Sequence, residues 1–278
     1  MNHSLKIMGL CVLVALVATS CQKNEEVLTS TFTAELNQPT CEGKTHLVTG
    51  DYLVWDEGDQ VAIFDLSEEP ATVQIFTATS GGTTHTTFAG DGAINANTLL
   101  YAFYPAGMVS ASSFTTIDNQ TYVEGSFAPN TYPMACTNGG SGTDFLFQGM
   151  FGVLAIPLTG NCTIGSVDLT DADMNLKGTA QISLGASGPI VSDIISPKSG
   201  SKDARTITLT CEGGLTLTST PKKIMFVVRP GSLYNGFTVT FKDLNDEVIA
   251  VRTAAANMNN MIRPEYIVLM PTVDISIP

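Results

Sequence analysis

Phe237-Thr238-Val239-Thr240-Phe241-Lys242, followed after Leu244-Asn245-Asp246 by Val248-Ile249-Ala250-Val251, is the stretch whose reading decides the fold. Successive side chains on an extended backbone point to opposite faces, so strict apolar–polar alternation gives a strand one dry side and one wet side. A short polar break between two such runs joins them antiparallel. The stretch therefore predicts a β-hairpin. Working outward, residues 31–36, 60–64, 72–78, 85–89, 99–104, 164–169, 178–184, 206–211, 215–218 and 224–228 carry the same kind of signal between turn residues. Tyr52-Leu53-Val54-Trp55 and Gln60-Val61-Ala62-Ile63-Phe64 read as a second hairpin around Asp56-Glu57-Gly58-Asp59, with Gly58 supplying the positive φ of a tight reversal. Residues 145–147 and 151–158 are strongly apolar, and the latter has the pattern of a strand buried on both faces. The Asn-, Pro- and Gly-rich residues 127–143 read as a long loop into a domain junction. Helix is expected only as a turn within 254–262, and residues 266–277 form one or two last strands broken at Pro271.

An all-β chain of this size suits one large or two small domains. Two tandem β-sandwich domains are expected, 31–145 and 146–278. The net charge of −13 leaves no electrostatic means of holding a polyphosphate backbone, which excludes nucleic acid as a partner. Charge is also unevenly placed. Residues 24–176 hold one basic residue, Lys44, against eighteen acidic ones, whereas residues 177–278 hold ten basic and eight acidic. That polarity either keeps the first half soluble or draws one copy to the next head to tail, speeding encounter more than adding affinity.

The N-terminus begins with Lys6, runs apolar over residues 7–18, and reaches Ala18-Thr19-Ser20-Cys21 before polar Gln22-Lys23-Asn24-Glu25-Glu26. The apolar run falls short of the roughly twenty residues a spanning helix needs, so residues 1–20 read as a secretion signal. The Ala-Thr-Ser-Cys ending resembles the lipobox of bacterial lipoproteins. That resemblance makes Cys21 the lipidated first residue of the mature chain, residues 21–30 a tether, and the outer membrane surface the location, with the acyl chains as the membrane contact. An ordinary cleaved signal is the alternative.

Beyond Cys11 and Cys21, four cysteines remain: Cys41, Cys136, Cys162 and Cys211. Cys211 shares the inward face of its strand with Ile207 and Leu209, and Cys162 shares a face with Ile164. They read either as small buried hydrophobes or as a Cys162–Cys211 disulfide. Metal and cofactor sites are not expected. There is no Cys-x-x-Cys, and only His46 and His85 follow the leader, both in polar, Thr-rich contexts of exposed strand. Asp56, Glu57 and Asp59, and likewise Asp168, Asp171 and Asp173, are oxygen-rich but lack calcium-loop spacing and read as solvated turns. Gly185-Ala186-Ser187-Gly188 misses the nucleophile-elbow spacing, and no catalytic residues are expected. If the chain binds glycans, Tyr101, Tyr104, Tyr122 and Tyr132 are the expected aromatic platform.

The order of several motifs resembles the fimbrillin family, the pilin-like surface lipoproteins of Bacteroides-type anaerobes. They are the lipobox, Phe32-Thr33-Ala34, Lys44-Thr45, Val54-Trp55-Asp56-Glu57-Gly58-Asp59-Gln60-Val61 with Phe64, Tyr101-Ala102-Phe103-Tyr104-Pro105, and a closing hairpin with a late strand. The resemblance implies two transthyretin-like sandwiches, other pilin subunits as head-to-tail partners, and a host or bacterial surface ligand. It also implies assembly in which a strand of one subunit completes the sheet of the next after proteolytic trimming. Val273, Ile275 and Ile277 alternate as a donor strand does, and equally as the last strand of their own domain. Trimming in the family is often at Arg, and this chain has none before Arg205, which directs the reading to an anchor, tip or accessory subunit rather than a stalk.

Overall fold

A computed structural model describes residues 28–42, 53–65, 72–110, 113–185, 188–191 and 204–276. The leader, Cys21, Lys44-Thr45, His46, Tyr52 and Ile277 lie outside the described residues. The chain is all-β. Its first half contributes β1 (Leu28–Leu36), β3 (Gln60–Asp65), β4 (Thr72–Ala78), β5 (His85–Asn95), β6 (Leu100–Tyr104), β11 (Met134–Thr137) and β12 (Asp144–Gly149) to a closed barrel. β1 closes it, pairing antiparallel with β5 on one side and parallel with β12 on the other. Its inward residues explain why. Phe32 stacks on Phe88 at 5.1 Å and meets Phe76 and Phe145 edge-on, while fully buried Trp55 meets Phe88, Tyr104 and Phe147 edge-on.

The second half is two facing sheets. The central one holds β2 (Thr40–Glu42), β13 (Gly152–Gly160), β18 (Lys222–Val228), β21 (Tyr266–Leu269) and β22 (Val273–Ile275). The outer one holds β9 (Asn119–Val123), β10 (Ser126–Phe127), β14 (Thr163–Asp171), β17 (Thr206–Thr216), β19 (Phe237–Lys242) and β20 (Val248–Ala254). A small sheet of β7 (Val109–Ser110), β8 (Ser113–Thr115), β15 (Thr179–Gly185) and β16 (Gly188–Val191) lies on the barrel wall, where Val109 and Ile182 pack against buried Phe64, Tyr101 and Phe103.

β13 joins the halves. Val153 and Ala155 enter the barrel core with Met225, Val227 and Ile267, whereas Leu154, Ile156 and Leu158 enter the second core with Ile224, Phe226 and Val268. The two-faced burial expected of residues 151–158 is what the structure shows. The 237–251 hairpin is also present, with Phe241 opposite Ala250 and Val239 opposite Arg252.

Several sequence expectations need correction. The 52–64 hairpin does not form. The Asp56–Asp59 turn exists, with Gly58 at φ 92° and the Asp59 amide donating to the Asp56 carbonyl, but it redirects the chain. Trp55 bridges to Thr83 while β3 pairs with β4 and β6, because the indole is drawn into the barrel core. Gly213 and Gly214, both at positive φ, bulge one continuous β17 where a turn between two strands was expected. The 127–143 loop contains β11, which is paired on both sides. Residues 28–30 of the expected tether belong to β1. The boundary at 145/146 falls inside β12, and β2 and β9 from the first half pair with β21 and β17 of the second.

Sharing β13 between two cores makes a specific demand on unfolding. Leu154→Ala is expected to cost about 2–5 kcal/mol and Ala155→Leu, on the opposite face, about 1–3 kcal/mol. Both are expected to shift the same denaturation transition, followed by barrel and second-half probes in guanidinium.

Candidate functional site at the sheet edges

The C-terminal segment is seated in its own sheet. Val273, Asp274 and Ile275 run parallel to β13 opposite Leu158, Thr159 and Gly160, and Ile275 is buried in the second core. Within this one chain Val273 and Ile275 therefore occupy a strand of their own sheet. Gly160 makes the approach possible, since a Cβ there would stand 2.5 Å from the Ile275 carbonyl oxygen.

Between β22 and the outer sheet's edge strand β20 lies an apolar groove of about 260 Å³, floored by Ile156, Phe237, Val239 and Phe241. Arg252 spans its mouth. Its position opposite Val239 turns its side chain to the inner face of β20, and it donates from Nη2 to the Asp274 carbonyl at 2.8 Å. β20 also bulges where the register slips between Phe241 and Lys242. An inward charge and a bulge are both devices that blunt a sheet edge against uncontrolled pairing. The edge strand of the central sheet, β18, is closed differently. The buried Gln120 side chain donates to the Val227 carbonyl at 2.8 Å and accepts from the Val227 amide at 2.9 Å, completing that residue's backbone bonding as a neighbouring strand would.

Other predicted residues are dispersed. Cys162 and Cys211 are both free. Cys162 sits at the turn before β14, where its carbonyl accepts from the Leu217 amide, whereas Cys211 lies near the β14–β17 bulge. That offset of about three residues, roughly 10 Å of strand, is too long for a disulfide. The Cys162 thiol donates to the Ile275 carbonyl at 3.2 Å, and burial pushes the Cys211 thiol up to about 11.

Both acidic sets are used internally. The Asp59 carboxylate accepts from the Asp56 amide at 2.8 Å and from the Tyr104 hydroxyl at 2.9 Å. Burial raises its pKa, against the lowering effect of those two bonds. Asp168 pairs with Lys242 at 3.0 Å, and Lys242 also reaches Asp246 at 3.1 Å. Asp171 and Asp173 serve a loop end of the second half. Among the described residues no group of three His, Cys, Asp or Glu could hold a metal ion. His85 is exposed on β5.

The expected aromatic platform is overturned. Tyr101 and Tyr104 on β6 and Tyr132 just before β11 are buried, and Tyr122 is half-buried against the second core. Tyr234, which the sequence did not single out, is 41% exposed. Its signal was position, in the turn-rich Arg229-Pro230-Gly231 to Gly236 segment between two strands. Arg252 and Gln120 carried no sequence signal, since their roles depend on which strand margin they face.

No family model and no curated protein matches the chain. Among solved structures it is similar to a provisionally named cell adhesion protein from Bacteroides uniformis, at 14% identity and a TM-score of 0.51 over 80% of this chain and 88% of that one. Another so named, from Bacteroides ovatus, aligns at 12% identity and TM-score 0.48 over 84% and 87%. A fimbrial protein from Bacteroides ovatus aligns at 11% and 0.40 over 89% and 50%. The first likeness is one of fold.

Two outcomes follow from this geometry. Gly160→Ala is expected to push Ile275 away and release β22, read as fast amide exchange at residues 273–275 while the β13–β18 ladder stays protected. Asp59 gives a pH signature. The folded chain holds its proton more tightly than the unfolded one, so stability falls as pH rises from the ordinary 3.8 through the raised folded value. Relative to Asp59→Asn, the native Tm is expected to decline as pH rises through and above 3.8.

Proposed function

We propose that this chain is a cell-surface lipoprotein of the fimbrillin type, held to the outer membrane through Cys21 and built into a pilus as an anchor, tip or accessory subunit rather than a stalk. It works by contact and not by catalysis. Other pilin subunits are its partners, joined head to tail by strand complementation, in which an extended segment supplies main-chain hydrogen bonds along an open sheet margin. The observation that carries the reading is the seating of β22. A last strand bonded to β13 and bridged by Arg252 is not extended toward a neighbour, which suits a subunit that ends or roots a fibre. The fold likeness to a structure named for cell adhesion, the order of motifs in the sequence and the leader ending at Cys21 support the same class.

Two measurements test it together. Growth with an alkyne-tagged fatty acid is expected to label the chain and not its Cys21→Ser variant. Mixing the purified chain with fimbrial subunits is expected to give a heterocomplex on size-exclusion chromatography, with an association rate that falls as salt is added. An unlabelled chain, or no heterocomplex with any subunit even after limited trypsin treatment, would overturn it.

A further inference from the structure

Three loops meet at one end of the second half, and their hydrogen bonds fix them as one platform. Asp171, 1% exposed, is the knot. Its Oδ1 accepts from the Asp173 and Met174 amides at 2.8 Å each, and its Oδ2 accepts from the Leu233 amide at 2.6 Å, tying the loop after β14 to the loop before β19. The third loop, after β20, joins through the Asn257 amide to the Tyr234 carbonyl at 3.1 Å and the Gly231 amide to the Ile262 carbonyl at 2.9 Å. Leu233 is fully buried at φ 67°, a left-handed conformation that a bulky residue seldom adopts and that survives only where its surroundings dictate it. Its neighbours Tyr234 and Asn235 are thereby held outward.

What the platform displays is chemically specific. Tyr234 and Met258, 41% and 61% exposed, flank a cavity of about 410 Å³ that Met174 and Met261 also line. That volume is in the range of small-molecule sites. At its rim Asn235 Nδ2 donates to Asp173 Oδ2 at 2.7 Å, with both side chains exposed. This pairing leaves the amide its oxygen and second N–H, and the carboxylate its second oxygen, to meet a ligand. A wholly apolar ligand would strip water from these groups without replacing it. A phosphate or carboxylate would meet the Asp173 carboxylate, and the nearby arginines Arg229 and Arg205 already donate to the Asn175 and Ala172 carbonyls at 3.3 and 2.7 Å. A pyranose ring satisfies both demands. Its C–H face lies on an aromatic ring and thioethers, and its hydroxyls bond to planar amide and carboxylate edges.

We propose that this platform is a binding site for a neutral hexopyranoside, with Tyr234 as the stacking surface and Asn235 and Asp173 as hydroxyl partners. The inference names a ligand class for the surface-contact reading and rests on that reading for where the site is displayed. Its test involves neither β22 nor Cys21, so the two fail separately. The purified full chain is titrated with cellobiose, lactose, maltose and mannobiose by calorimetry and ligand-observed NMR. At least one is expected to bind, with Tyr234→Ala and Asn235→Ala each weakening it about tenfold. Tyr234→Phe is expected to retain binding, as is Val73→Ser on the distant β4. An unchanged Tm in Tyr234→Ala separates lost binding from lost fold. Absence of binding to all four sugars, equal binding by Tyr234→Ala and the native chain, or capture of an apolar peptide at Tyr234 in place of any sugar would overturn the proposal.

Discussion

A strand covered on both faces has no wet side on which to place a polar residue, and β13 meets that constraint over Val153-Leu154-Ala155-Ile156. It is also bonded on both margins, to β18 on one and to β21 and β22 on the other. β18, β21 and β22 take their places by pairing with this strand. The outer sheet covers the face that carries Leu154, Ile156 and Leu158, and the barrel covers the face that carries Val153 and Ala155. At about 25 cal/mol per Å² of buried apolar surface, a strand dry on both sides stabilises more per residue than any edge strand here. It follows that the two halves are not independent beads on a string, and that a change in β13 is felt in both.

The margins that β13 does not fill decide how the molecule meets others. β18 is closed by a side-chain amide, β20 is blunted by a bulge and an inward arginine, and the barrel closes on itself. Free sheet edges invite uncontrolled pairing, and these devices suppress it. Where pairing is part of the function, access has to be regulated. The Arg252 bridge to Asp274 is well suited to this, being an exposed contact of modest strength that holds two edges together across an apolar groove.

Much of this was legible in the residues. Alternation in 237–242 and its loss in 151–158 gave the strands and their burial, because both are local consequences of which faces are wet. What was not legible depended on long-range pairing. Trp55 has a hairpin context in the sequence but a barrel core in space, and the pull of that core decided its path. Gly213-Gly214 carries the same chemistry for a turn as for a bulge, and only the register against β14 distinguishes them. Tyrosines failed as predictors of a platform for a related reason. In Tyr101-Ala102-Phe103-Tyr104 the phenols sit on a strand whose outer face is itself covered by the small sheet, so both sides are dry. Tyr234 is exposed because it lies where the backbone leaves the sheet.

That position has a mechanical consequence. The 229–236 loop feeds into β19 and the loop after β20 leads to β21, so both flanks of the platform are ends of strands in the second core. The groove beside β22 draws on the bodies of those strands, and it shares no lining residue with the platform cavity. A partner segment in the groove and a ligand at Tyr234 therefore do not compete for atoms. They do share a framework, since Phe237, on the groove floor, follows Gly236 of the platform loop and is buried in the same core as Leu233. Packed cores deform little, so shifts in β19 reach both surfaces while displacement of either occupant alone does not. The groove thus runs along one side of a sheet, and the platform sits at a rigid, strain-held end of the same framework.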